Sequence, residues 1–366
     1  MNKTTSIYLD LVRFLAALTV FIVHANKDRF TGGLPVFWRI SDYGNDAVMV
    51  FFVLSGFVIA YVANEKEKNI HDFFTSRLAR LYSVVLPALV LTVILDTYGS
   101  QMAYKIYDGW WYKTDHPLLR FISNLFFINE LWFYSIRPFS NGPFWSIGYE
   151  FWYYVIFGLA YYLKKPIKFV IIAIICLLVG PKILLLLPVW LMGVAVFKIT
   201  SSKIITEKSG WFLLLLSFPC YLLYRIYGGQ EYILNLTESM LGEELYDNLL
   251  WSKYFLSSYV IGLFISLNFI GFSAISHSFS TLLDNFRKSI RYLASYTFIL
   301  YLAHYPLLQF FSALTFDNTA KNTQPVIVVA GTLFVVWLLG SVTEKQKGNY
   351  KRIFTALWLK LGIKPE

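Results

Sequence analysis

Apolar runs recur along the chain at 7–25, 46–63, 82–98, 144–163, 166–181, 183–199, 210–227, 253–271, 292–311 and 325–341. Each comes close to the length an α-helix needs to cross bilayer hydrocarbon, about 20 residues. Within hydrocarbon every backbone N–H and C=O must be satisfied by the protein itself, so such runs can become only helices or the strands of a closed barrel. A barrel alternates polar and apolar residues in segments of about ten, and VIIAIICLLVG at 170–180 does not alternate. The chain is 57% hydrophobic and only 15% charged, where a soluble domain keeps about a quarter of its residues charged. These runs predict an all-α, polytopic integral membrane protein of about ten transmembrane helices.

Basic residues orient the spans. Lys3, then Lys66, Lys68, Arg77 and Arg80, then KKPIK at 164–168, then Lys198, Lys203 and Lys208 fall on one side. Arg287, Lys288, Arg291 and the tail NYKRIFTALWLK follow on that side, while the acidic loop 228–250, with Glu231, Glu238, Glu243, Glu244 and Asp247, lies opposite. The pattern holds if the semi-apolar stretch 118–134 is interfacial or re-entrant, and it places both termini in the cytoplasm. The organisation expected is one membrane domain over 1–345 and a short basic tail over 346–366, in a multi-pass protein of the cell's inner (cytoplasmic) membrane. Lys3 ahead of an apolar stretch resembles a signal peptide, but Arg13 interrupts the stretch and no small-x-small cleavage site follows, so the first span is read as retained. The net charge of +10 is that positive-inside bias rather than a nucleic-acid surface. Cys176 and Cys220 sit inside apolar runs without metal-ligand spacing, so neither a disulfide framework nor a metal is expected.

Several spans carry polar groups that are costly in lipid. In RFLAALTVFIVH, eleven residues of helix bring His24 back to within about 20° of Arg13, roughly 16 Å further along the same face. Arg13 alone could snorkel or pair with Asp10, and His24 alone could be an interfacial histidine; their shared face points to a polar path through the bundle. Glu150, in FWSIGYEFWYY, and His304, in SYTFILYLAHYPLL, are expected to converge with His24 on the outer side, as groups for acid/base chemistry. On the inner side TSRLARLY sets Arg77 and Arg80 one turn apart, either as a topology anchor or as a pair gripping phosphates, with Arg291 able to join them. Trp38, Trp110, Trp111, Tyr112, Trp132 and Tyr134 form an interfacial aromatic belt or a surface for stacking sugars.

Taken in order, these segments resemble the membrane acyltransferase 3 family. Arg13 and His24 resemble its R-x10-H, and NDAVMVFFVLSGFVIAY at 45–61 is similar to its second-helix GV-x-x-FFVLSGF signature. Arg77 and Arg80 match its R-x-x-R. PFWSIGYEFWYY at 143–154 is similar to W-S-L-x-x-E-x-x-FY and puts Glu150 on the family's acid; SYTFILYLAHYPL at 295–307 is similar to S-Y-S-x-YL-x-H and puts His304 on its late histidine. The glycine-valine ahead of FFVLSGF is displaced, since Ala47 and Val48 follow Asp46. The extracytoplasmic transferase domain of some relatives has no counterpart, which implies that the membrane domain completes the reaction or hands its acyl group to a separate protein.

The resemblance implies transfer of an acyl group, by default acetyl, from cytoplasmic acyl-coenzyme A to a hydroxyl of an envelope carbohydrate or glycolipid. On that basis Arg77 and Arg80 would hold the donor's phosphates, with Arg291 beside them, and Arg13 would line the donor's channel. His24 would act as general base, or as an acyl carrier, with Glu150 orienting or charging it. His304 would position the acceptor or stabilise the oxyanion. A transporter or flippase of a lipid-linked glycan is the competing reading; it would show inverted repeats or paired broken helices, and the sequence shows neither.

Overall fold

The computed structural model describes residues 1–33, 42–164, 166–316 and 323–360, so Trp38, Lys165 and the last residues of the basic tail lie outside the described residues. Sixteen α-helices follow one another among the described residues: α1 (Lys3–Ala25), α2 (Asp28–Thr31), α3 (Gly44–Glu65), α4 (Ile70–Met102), α5 (Tyr104–Tyr107), α6 (Pro117–Leu125), α7 (Trp145–Tyr162) and α8 (Ile167–Val179), then α9 (Pro181–Ser202), α10 (Glu207–Ile226), α11 (Gly229–Leu241), α12 (Glu243–Asn248), α13 (Phe255–Ile275), α14 (Ser280–Ser295), α15 (Thr297–Leu314) and α16 (Gln324–Lys360). No strand occurs among the described residues. Eight helical stretches there are long and apolar enough to cross a membrane. Of the two remaining expected spans, α7 carries Glu150 among its 18 residues and α8 has only 13. At 1.5 Å per residue α8 reaches about 20 Å, short of a hydrocarbon core of about 30 Å.

The stretch 118–134 does not cross. Pro117 opens the nine-residue α6, and irregular backbone follows, with Phe127 and Trp132 at positive φ. That backbone is held by a buried ion pair, Lys182 Nζ to Glu130 Oε2 at 2.8 Å, and by a second bond from Lys182 Nζ to the Tyr134 carbonyl at 2.7 Å. Burial pushes the Glu130 carboxyl up, against the pull of Lys182. The acidic segment 228–250 also folds, as α11 and α12.

Close approach of helix backbones sets the core. A Cβ on Gly56 of α3 would collide with the Trp190 carbonyl of α9, and one on Gly193 of α9 with the Val53 carbonyl of α3, so glycine at both places is what lets the two helices touch. The 33-residue α4 and 37-residue α16 both exceed a bilayer, at 1.5 Å per residue. Their ends meet on one face, where Trp358 Nε1 donates to Thr75 Oγ1 at 3.0 Å. Lys3 on that face pairs with Asp284 of α14 at 2.8 Å. This face, which carries both described chain ends, is the terminal face, and α1 runs from it to the opposite face. The expected span from 292 is divided instead: α14 is amphipathic, burying Leu283, Ile290 and Ala294 while Lys288 and Arg291 stay exposed and Arg287 is half-buried, and a new helix starts at Thr297.

Candidate active site

His24 lies in the last turn of α1, and α15 brings His304 against it: Nδ1 of His24 is 2.9 Å from Nε2 of His304, with the rings 19° from parallel. Nδ1 of His304 lies 2.8 Å from the Leu300 carbonyl. A carbonyl only accepts, so this Nδ1 carries the proton and the His304 Nε2 is an acceptor. His24 must then donate from its own Nδ1, which in the neutral imidazole leaves Nε2 as its lone-pair nitrogen. The assignment follows from the hydrogen-bond network.

The surroundings of His304 are fixed by a proline. Pro306 has no N–H, so the Leu302 carbonyl loses its helical partner. Asn141, fully buried, supplies one: its Nδ2 donates to that carbonyl at 2.8 Å. This ties the segment ahead of α7 to the histidine-bearing helix. Two further bonds hold the same segment, from the Ser140 N–H and Oγ to Asp96 of α4 at 2.9 and 2.8 Å. Asn141 was not singled out by the sequence, although a proline two residues beyond His304 signals an orphaned carbonyl that some donor must satisfy.

His24 lines a cleft of ≈ 860 Å³ on the opposite face, together with Lys27, Arg29, Trp110, Trp111, Arg137, Trp145, Tyr301 and Tyr305. Toward the terminal face lies a small cavity of ≈ 70 Å³ lined by Arg13, Arg80, Ser55, Glu150, Ser146 and Tyr301. Tyr301 borders both, and its hydroxyl lies 2.7 Å from Ser146 Oγ. Val48 borders both as well.

The expected convergence of three acid/base groups is therefore replaced by a pair. Glu150 lies in the second turn of α7 and turns to α3, where Ser55 Oγ donates to it at 2.7 Å and the Tyr154 hydroxyl also donates. It shares the small cavity with Arg13 and Arg80, and the group hydrogen-bonded to His24 is His304. The arginines divide too. Arg77 is buried and donates to Glu67 Oε1 at 2.6 Å, which spends its guanidinium on an ion pair. Arg80, three residues on and so rotated by about 60°, lines the cavity with its guanidinium over the Phe298 ring. Arg13 donates to Asp10 at 2.9 Å and to the Ala294 carbonyl at 3.2 Å. Arg291 stands exposed on α14 and is not among the residues lining the cavity. Among the described residues no group of His, Cys, Asp or Glu is arranged to hold a metal ion.

The sequence matches the family model described as an acyltransferase domain over residues 6–341. It is 30% identical over 164 residues to an acyltransferase, MdmB, of Streptomyces mycarofaciens, covering 43% of this chain and 39% of that one. It is 27% identical over 173 residues to an O-acetyl transferase of Shigella phage Sf6, covering 45% and 49%. A third relative, protein 2 in the picA locus of Rhizobium radiobacter, is 43% identical over 89 residues, covering 23% and 42%. The matches thus span less than half the length of these curated relatives. No solved structure matches significantly.

Proposed function

The chain belongs to the acyltransferase family matched over residues 6–341 and is a multi-pass membrane acyltransferase, and from that premise we propose that it moves an acyl group, acetyl by default, from cytoplasmic acyl-coenzyme A to a hydroxyl of an extracytoplasmic or lipid-linked carbohydrate. The observation that carries this reading is the hydrogen-bonded series from the Leu300 carbonyl through His304 to His24, which presents a neutral imidazole with its lone pair on Nε2 at the edge of the large cleft. A general base needs that arrangement.

In the proposed reaction the donor binds from the terminal face, taken as cytoplasmic, in a protein of the inner membrane. Arg80 and Arg13 meet its anionic and amide groups, and exposed Arg291 draws the phosphates from outside the cavity. Arg77 acts as a positioning residue, holding the start of α4 through Glu67. A cavity of ≈ 70 Å³ holds water but not a pantetheine arm, so the Tyr301–Ser146 contact must part for the thioester to reach His24. His24 Nε2 then takes the acceptor's hydroxyl proton as the oxygen attacks the thioester carbonyl. The tetrahedral oxyanion collapses with loss of the C–S bond, and the leaving thiolate recovers the proton from the His24 imidazolium, giving ester and free thiol. His304 holds the tautomer and orientation of His24. Glu150, fixed by Ser55 and Tyr154, offers a counter-charge to Arg13 and Arg80 in the donor cavity.

Mass spectrometry of envelope glycans from cells with and without the gene tests the reading. A glycan species should lose the mass of one acyl group when the gene is removed, and that loss identifies both the group and the acceptor. Identical glycan profiles would remove the carbohydrate reading.

A further inference from the structure

Two guanidiniums in the large cleft have no ion-pair partner among the described residues. Arg29, half-buried, donates from Nη2 to the hydroxyl of Tyr305, lies 4.3 Å from the Trp111 ring and 4.5 Å from the Phe30 ring, and its Nε has no hydrogen-bond partner among the described residues. Arg137 donates to the Trp111 carbonyl at 3.0 Å and stacks 5.1 Å over Trp110. Lys27 Nζ adds a third cation, 3.3 Å from the Tyr305 hydroxyl. Asp28, Asp42 and Glu231 also line the cleft, yet neither guanidinium is ion-paired to any described carboxylate.

Three other cations on this side of the molecule are neutralised: Arg120 by Asp115 at 2.7 Å, Lys182 by Glu130 at 2.8 Å and Arg225 by Asp46 at 3.5 Å. Taking a charge out of water without a partner costs several kcal/mol, and burial lowers the basicity of both Arg29 and Arg137. Cations held together in this way, on aromatic supports and in ion-pair contact with no carboxylate among the described residues, are arranged for an anion that arrives from outside. Its position relative to the chemistry is set by Tyr305, whose hydroxyl receives Arg29 and whose ring packs edge-on to His24 with centroids 5.0 Å apart. One aromatic ring therefore separates the cation cluster from the imidazole.

We propose that the acceptor is an acidic saccharide, whose carboxylate or phosphate is held by Arg29 and Arg137 while a hydroxyl about one sugar ring away faces His24. Planar guanidinium forks suit both anions, bidentately, and the exposed face of Trp110 beside them suits a sugar ring. This deepens the acyl-transfer reading and rests on it for the identity of the cleft as the acceptor site.

The test reads binding without donor, so its outcome is separate from that of acyl transfer at His24. Purified protein in nanodiscs is titrated with tetragalacturonate against its methyl ester, and with glucose 1-phosphate against glucose, following tryptophan fluorescence from the cleft. At least one acidic probe should bind about tenfold more tightly than its neutral counterpart, and the arm that does so distinguishes carboxylate from phosphate. Arg29→Gln and Arg137→Gln should each remove most of that preference without changing affinity for the neutral probe, while Arg29→Lys should keep part of it. Should a Gln variant fail to purify as a monodisperse species, the unaltered protein still decides, since its preference for the acidic probe must shrink between low and high salt. Equal binding of acidic and neutral probes, or a preference that survives both Gln variants or high salt, would overturn the proposal.

Discussion

Arg77 and Arg80 share one motif but meet different surroundings, and their variants should differ in kind. Arg77→Ala leaves the Glu67 carboxylate buried without its partner, a loss of about 3–5 kcal/mol. It should lower thermal stability in detergent while leaving donor affinity per folded molecule close to that of the parent. Arg80→Ala removes only a cavity-lining cation and should weaken acyl-coenzyme A binding, more so at low salt, with little change in melting temperature. The reverse pattern would exchange the two assignments. The sequence made the pair visible as two charges one turn apart, but the spacing is blind to Glu67, ten residues upstream, because a loop brings that carboxylate to one arginine and not the other. The alignment of Arg13 with His24 was legible because helix geometry alone fixes it. The contact of His24 with His304 was not, since it depends on how α1 and α15 pack.

At the level of elements, the site is assembled by α1, α15 and the segment ahead of α7. Pro306 makes this legible in hindsight: a helix that loses one N–H needs a donor from elsewhere, and here Asn141 brings it. Asn141→Ala should leave the Leu302 carbonyl unsatisfied in a buried setting, at a cost of about 1–3 kcal/mol. Its melting temperature should fall, and turnover should fall with it as His304 loses registration, with acyl-coenzyme A affinity retained. Unchanged stability and turnover together would show that α15 keeps its course past Pro306 without Asn141. Long spans such as α3 and α4 were readable from apolar length, though α4 continues well beyond its apolar part because Asn69 caps it earlier, its side chain accepting the Asp72 N–H at 2.9 Å. The division of 280–314 into α14 and α15 was not readable, since Tyr292 and Leu293 extend the hydropathy of the following span while belonging to an amphipathic helix outside it.

For the whole molecule, the account requires a donor cavity and an acceptor cleft on opposite faces, divided at Tyr301 and Ser146. The all-α membrane class was legible because lipid permits so few backbone solutions. The cleft was not, because its walls come from segments far apart in sequence, from Val20 to Tyr305, and cavities are set by packing rather than by composition. Sealed inside-out membrane vesicles supplied externally with labelled acetyl-coenzyme A test the central claim most directly, by comparing the parent with His24→Ala at matched abundance. The account predicts label on luminal carbohydrate in the parent and a loss of roughly 10²–10⁴-fold in His24→Ala, with donor binding unchanged; undiminished luminal labelling by the inserted His24→Ala protein would contradict it.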